Sequence, residues 1–135
     1  MRPWVWLDDA LARSIHDRLL VLHGGAEGER DAALLESALA RPRHLAAYGD
    51  DPDVSDLAAA YTAGIVGNHP FIDGNKPTGF VLGILFLETN GMLFTASEEA
   101  ATRAVLDLAA EVMDPTGYAA FLRGNVVEDR TGDAS

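Results

Sequence analysis

Apolar residues recur along this chain at spacings of three and four, the period of a helix with one face against a core. After a short extended WVWL, Asp8 or Asp9 stands where a helix cap is wanted, and Leu11, Ile15, Leu19 and Leu22 follow on one face. HGG at 23–25 supplies the left-handed residue that ends such a helix. GERDAALLESALARP predicts a second helix, with Asp31 as N-cap, Leu34, Leu35, Ala38 and Leu39 as its buried stripe, and Pro42 as its stop. RPRHLAAYGDDPDV is rich in turn formers and reads as a loop with a short flap-like extended piece. Ser55 opens a third helix through Leu57, Tyr61 and Ile65, which Pro70 ends by disfavouring helix at His69. A fourth runs from near Asn75 through FVLGILFLE to the NG at 90–91; apolar on nearly every side, it reads as the buried core helix. Thr95-x-x-Glu98 has the form of a capping box for a fifth, through Val105, Leu108 and Val112. Asp114-Pro115 begins a sixth around Tyr118, Phe121 and Leu122.

The sum is an all-α protein, a compact bundle of about six helices forming one domain over residues 1–125. The last stretch, VVEDRTGDAS at 126–135, is polar and reads as a frayed tail. Composition narrows the chemistry more than the fold. With 48% hydrophobic and 23% charged residues the chain is too apolar to be disordered. It has no cysteine, which excludes disulfides and thiolate metal sites. His16, His23 and His44 have no ligand partners at useful spacing, so zinc is not expected. MRPWVWLDD lacks the apolar core of a signal peptide, and the run Phe80–Leu87 is too short to span a bilayer. A cytoplasmic protein without a membrane partner is expected. Ten Lys and Arg against 21 Asp and Glu give a net charge of −11, which repels phosphate backbones and argues against direct nucleic-acid binding. A single anion site survives this, because distant charge is screened over roughly 8–10 Å.

The candidate site is HPFIDGNKPTGF, residues 69–80, at the junction of the third and fourth helices. His69 falls at the end of one helix and Asn75 or Lys76 at the start of the next, so the loop lies over free N–H groups that favour an anion. Gly74 allows a left-handed turn and close approach of a ligand. Asn75 offers an amide to phosphate oxygen or, equally, a helix cap, and Lys76 adds a point charge. Asp73 would repel bare phosphate and makes sense beside a hard cation such as Mg²⁺. His69 can take a proton from a hydroxyl near neutrality. Together these spell transfer of a phosphate-containing group. Each also has an ordinary reading: His69 as a capping residue, DGN as a common turn, Lys76 as a solvated charge, Phe71 as an anchor to the core.

HPFIDGNKPT resembles the signature of the Fic/Doc family, H-x-F-x-(D/E)-(G/A)-N-x-R, and lies between two central helices as in that family. The HGG after the first helix, GERDAALLESALARP and FLETNG resemble the Doc (death-on-curing) branch, so the likeness covers roughly residues 8–125. The resemblance implies His69 as general base, Phe71 as the loop's anchor, and Asp73 as the Mg²⁺ ligand on ATP phosphates. Gly74, Asn75 and Lys76 would form the phosphate-binding turn. It implies a toxin of a toxin–antitoxin pair, a kinase that passes phosphate from ATP to a translation factor such as elongation factor Tu. A Phd-like antitoxin would silence it in trans by laying an amphipathic helix in an apolar groove. Adenylylating Fic members usually have glycine where this chain has Lys76 and a second arginine where it has Phe80, which favours the Doc branch. The alternatives are AMP transfer of the Fic type and a non-catalytic member that binds only nucleotide or antitoxin.

Pro77 departs from the pattern, since the family has arginine there, gripping phosphate. Proline suits a helix's first turn, so the fold should tolerate it. Losing a charged contact to the transferred group would cost about 10²-fold or more in rate. A natural variant, an inactive descendant kept for binding, and a mutant selected to spare its host all fit.

Overall fold

The structure, a computed structural model, describes residues 3–130. Six helices follow one another as α1 (Asp9–His23), α2 (Ala32–Tyr48), α3 (Val54–Asn68), α4 (Asn75–Thr89), α5 (Glu98–Ala109) and α6 (Pro115–Arg123). Two three-residue strands, β1 (Met92–Phe94) and β2 (Val126–Glu128), pair antiparallel with Met92 opposite Glu128 and Phe94 opposite Val126. The all-α bundle is therefore as expected, with one small ribbon added. The strand β2 takes up part of the stretch expected to fray; residues 131–135 lie outside those described.

The core helix is α3, not α4. From Val54 to Val66 only Asp56 escapes burial, whereas α4 buries one face through Thr78, Gly79, Leu82, Gly83, Phe86 and Leu87. Small residues explain the difference. Alanines, Gly64 and Thr62 on α3 let α2, α4 and α6 close on it from three sides, while the large side chains of FVLGILFLE hold neighbours at a distance. At Gly83 the approach is closest: a Cβ there would lie 2.3 Å from Thr62 Oγ1 and 3.1 Å from the Ala58 carbonyl oxygen. The Thr62 hydroxyl meanwhile donates to the Gly79 carbonyl at 2.8 Å, tying the two helices together. Around this axis Leu35, Leu57, Tyr61, Ile65, Leu82, Phe86, Tyr118 and Leu122 are fully buried, each large apolar side chain contributing about 1.5–3 kcal/mol.

Several local expectations shift. Pro42 does not end α2, which continues to Tyr48, so the segment read as a loop with a flap is mostly helix. The carbonyl of Ala38, deprived of its i+4 donor, lies against Gly64 of α3, where even a Cβ would come within 3.0 Å. On α1 the buried positions are Ala12 and His16, while Leu22 is 68% exposed, so the inward stripe is rotated from the one the leucines suggest. The α3 cap is Asp53, in a reciprocal capping box with Asp56, two residues before Ser55. Ser97 rather than Thr95 caps α5, accepting from the Ala100 N–H at 3.1 Å, and Val112 lies beyond that helix, exposed. Asp114 and Pro115 start α6 as expected.

Candidate active site

The site begins where α3 stops. His69 is its C-cap, in the left-handed region at φ 50° and ψ 57°, a conformation that costs a non-glycine residue about 1 kcal/mol or more. Two bonds hold it there. Its N–H donates to the Ile65 carbonyl at 3.1 Å, and its own carbonyl accepts from Arg30 Nη1 at 3.0 Å. The imidazole is left exposed.

Pro70 to Ile72 then run antiparallel to Gly28–Arg30, a short extended segment between α1 and α2. Arg30 N–H donates to Pro70 O at 2.7 Å and Ile72 N–H to Gly28 O at 3.0 Å. In that pairing the N–H and C=O of Phe71 point the other way, into the core. Asn75 meets them: its Oδ1 accepts from Phe71 N–H at 3.0 Å and its Nδ2 donates to Phe71 O at 2.9 Å. The carboxamide thus acts as a strand partner for one buried residue. Its second amide hydrogen leans toward His69 Nδ1 at 3.4 Å, a weak contact. Asn75 is buried and forms no cap; Gly74, at φ 82°, is the N-cap residue of α4, which has no side-chain cap at all.

The consequence is an open helix end. The N–H groups of Asn75 and Lys76, in the first turn, have no intrahelical acceptor and are directed out of the helix's N-terminal end. Pro77, exposed in the same turn, brings neither a guanidinium nor a third N–H. Asp73 is exposed on the loop itself. Its Oδ2 accepts from the Ala26 N–H at 2.8 Å, and its backbone carbonyl accepts from His16 Nε2 at 2.7 Å. His16 also lies flat on Phe71, with ring centroids 3.8 Å apart and planes within 8°.

A family model described as the Fic/DOC family matches residues 6–87. The chain belongs to that family. Among relatives, Toxin Doc of Mycolicibacterium smegmatis is 34% identical over 116 residues, covering 83% of this chain and 88% of that one. Protein kinase doc of Escherichia phage P1 is 30% identical over 92 residues, covering 68% and 73%. These relatives place the chain in the Doc branch of the Fic/DOC family.

For a Fic/DOC protein the surroundings of the loop are informative. Beside His69, between the end of α3 and the α5–α6 corner, a cavity of about 430 Å³ is bordered by Arg41, Glu111 and Met113. On the other side of the motif helix an apolar groove of about 630 Å³ runs from Lys76 and Pro77 along Phe80, Ile84, Val105 and Leu106. No group of three or more His, Asp or Glu among the described residues could cage a metal. A lone exposed carboxylate with one oxygen tied back by Ala26 fits Mg²⁺, which takes one or two protein carboxylates and fills its shell with phosphates and water. No helix among the described residues is long and apolar enough to cross a membrane.

Sequence reasoning gathered His69, Phe71, Asp73, Gly74, Asn75, Lys76 and Pro77 on one loop, and the structure keeps them together there. It missed the supports. Arg30 holds the His69 carbonyl; His16, set aside for want of metal partners, holds Asp73. The flap-like piece exists, but in Gly28–Arg30 before α2 rather than after it.

Proposed function

We propose that the chain is a Doc-type toxin that transfers phosphate from ATP to a hydroxyl of a translation factor of the elongation factor Tu type, weakened by Pro77. The observation that carries this reading is the pairing of an exposed, left-handed His69 with an uncapped helix N-terminus one turn of loop away. A ring nitrogen of His69 takes the target's hydroxyl proton as its oxygen bonds to the transferred phosphorus and ADP leaves; such a base contributes typically 10²–10⁴-fold. The N–H groups of Asn75 and Lys76, with the Lys76 ammonium, hold phosphate oxygens against the positive end of α4. Asp73 would hold Mg²⁺ there, which when bound neutralises charge on the phosphates. Asn75 serves the same end indirectly, since its side chain is committed to the loop. Phosphate rather than AMP transfer is favoured by Lys76 and Phe80 and by the kinase name of the phage relative.

The apolar groove along α4 and α5 starts at Lys76 and Pro77, so an antitoxin helix laid in it would reach the phosphate end of the site. The setting of this activity is the cytoplasm, where translation factors work. The test incubates the protein, with Pro77 in place and with Pro77→Arg, with elongation factor Tu and Mg·ATP, and records target mass. A phosphate-sized gain, at least about 10²-fold faster with arginine restored, is expected. An AMP-sized gain would move the chain to adenylylation, and no gain from either form would sink the proposed target.

A further inference from the structure

Beneath the motif loop α1 presents a histidine that is 2% exposed and has no place in the chemistry above. Three contacts define it. Its ring lies flat on Phe71, its Nε2 reaches the Asp73 carbonyl at 2.7 Å, and its Cδ2 edge stands where a Cβ on Gly74 would be 3.4 Å away. Because a carbonyl oxygen only accepts, Nε2 carries a proton in this contact. A leucine or phenylalanine would fill the same volume without that donor, so packing alone does not call for histidine. Asp73 is thereby clamped at both ends by α1 and the loop after it: the carbonyl inward by His16, the carboxylate outward by the Ala26 N–H at 2.8 Å. Gly25, whose added Cβ would come within 3.2 Å of Asp73 Cβ, closes the third side.

We infer that His16 is a positioning residue, which turns the Asp73 carbonyl into the protein so that the carboxylate faces the ligand side of the loop and the Gly74 turn stays registered over α4. The inference rests on the proposed role of Asp73 toward Mg²⁺-nucleotide, and its test separates the two. The full chain is compared with His16→Phe, which keeps the ring stack and loses the donor, and His16→Gln, whose amide nitrogen reaches about as far as Nε2. Should His16→Phe not fold, His16→Asn replaces it, its shorter amide falling short of the Asp73 carbonyl. One arm reads amide hydrogen exchange over residues 71–76 without ligand; the other reads ADP affinity with and without Mg²⁺. Exchange about tenfold faster in the donor-less variant, unchanged in the α3 and α6 core and restored by Gln, is the expected result, with the Mg²⁺-dependent gain in ADP affinity falling about tenfold in parallel. Exchange and Mg²⁺ dependence equal to wild type in the donor-less variant would overturn the inference. A wild-type chain whose ADP affinity ignores Mg²⁺ overturns the nucleotide reading instead, and the exchange arm then decides on His16 by itself.

Discussion

Replacing Asn75 with alanine removes the carboxamide that bonds both backbone polar groups of Phe71, a residue only 1% exposed. Each buried group left without a partner costs about 1–3 kcal/mol. The exposed neighbours His69 and Asp73 give water some access, so we place the total at about 2–4 kcal/mol. For a domain of this size that is a fall in Tm of roughly 6–20 °C, at about 3–5 °C per kcal/mol. Urea unfolding followed by far-UV circular dichroism reads it directly, with an unchanged slope confirming that only stability has moved. Asn75→Asp sharpens the test because it keeps the shape. One oxygen still accepts from Phe71 N–H, but the other faces the Phe71 carbonyl at the 2.9 Å now spanned by a hydrogen bond. Folding then favours the protonated acid, so its folded-state pKa lies above the unfolded value. The variant should approach wild-type stability below about pH 4 and lose ground as pH rises through the folded pKa. An alanine variant within about 0.5 kcal/mol of wild type, or an aspartate variant whose deficit ignores pH, would refute the assignment of Asn75 as Phe71's partner.

Gly83→Ala should destabilise by about 1–3 kcal/mol despite alanine's better helix propensity, because the new Cβ strikes Thr62, whose hydroxyl is held by Gly79; adding Thr62→Ala should recover part of the loss in a thermal melt. His69→Gly should match or exceed wild-type stability and exceed His69→Ala by about 1 kcal/mol, since glycine takes the left-handed cap freely, while both lose transfer activity. The Arg123 guanidinium holds the Asp53 carboxyl below the usual carboxylate range, so this pair contributes stability above the unfolded value near pH 4 and loses it as pH falls through the folded pKa. Arg123→Ala should therefore cost up to about 1 kcal/mol at pH 7, the pair being half exposed, and almost nothing near pH 2; equal losses at both would contradict the linkage.

What the sequence reveals of this molecule follows the range over which its signals act. Helix number, the two caps at Asp31 and Asp114, and the placement of the loop between α3 and α4 rest on neighbours a few residues apart, and they are legible. Pro42 misleads because the cost of its missing N–H depends on what faces Ala38, and that is Gly64 on another helix. The choice of core helix misleads for a related reason: FVLGILFLE draws attention by its large apolar side chains, but close approach from three sides rewards the small residues of α3. Within the site the chemistry-bearing groups sit inside eight positions and announce themselves. Their supports do not, since His16, Ala26 and Arg30 meet the loop across 57, 47 and 39 residues of chain. The partner of Asn75 is only four residues away, yet it too is hidden, because the choice depends on which way the Phe71 peptide groups turn when the flap pairs with it.

The loop therefore divides by direction. Phe71 and Asn75 are buried and Gly74 partly so, and these three hold the turn; His69, Asp73, Lys76 and Pro77 are exposed and face whatever binds. A change in the first set propagates into the core through the Phe71 backbone and the His16 ring. In the second set the Asp73 carboxylate also accepts from the Ala26 N–H and His69 caps α3, whereas a change at Lys76 or Pro77 meets solvent or ligand. Position 77 belongs to the second set, in a helical turn where proline's fixed φ is welcome and its absent N–H has no intrahelical bond to lose. The same substitution removes two things an anion would have used at that helix end, a guanidinium and an amide donor. The fold thus accommodates proline at this residue, and a family-typical core and a departure in the family's signature coexist here.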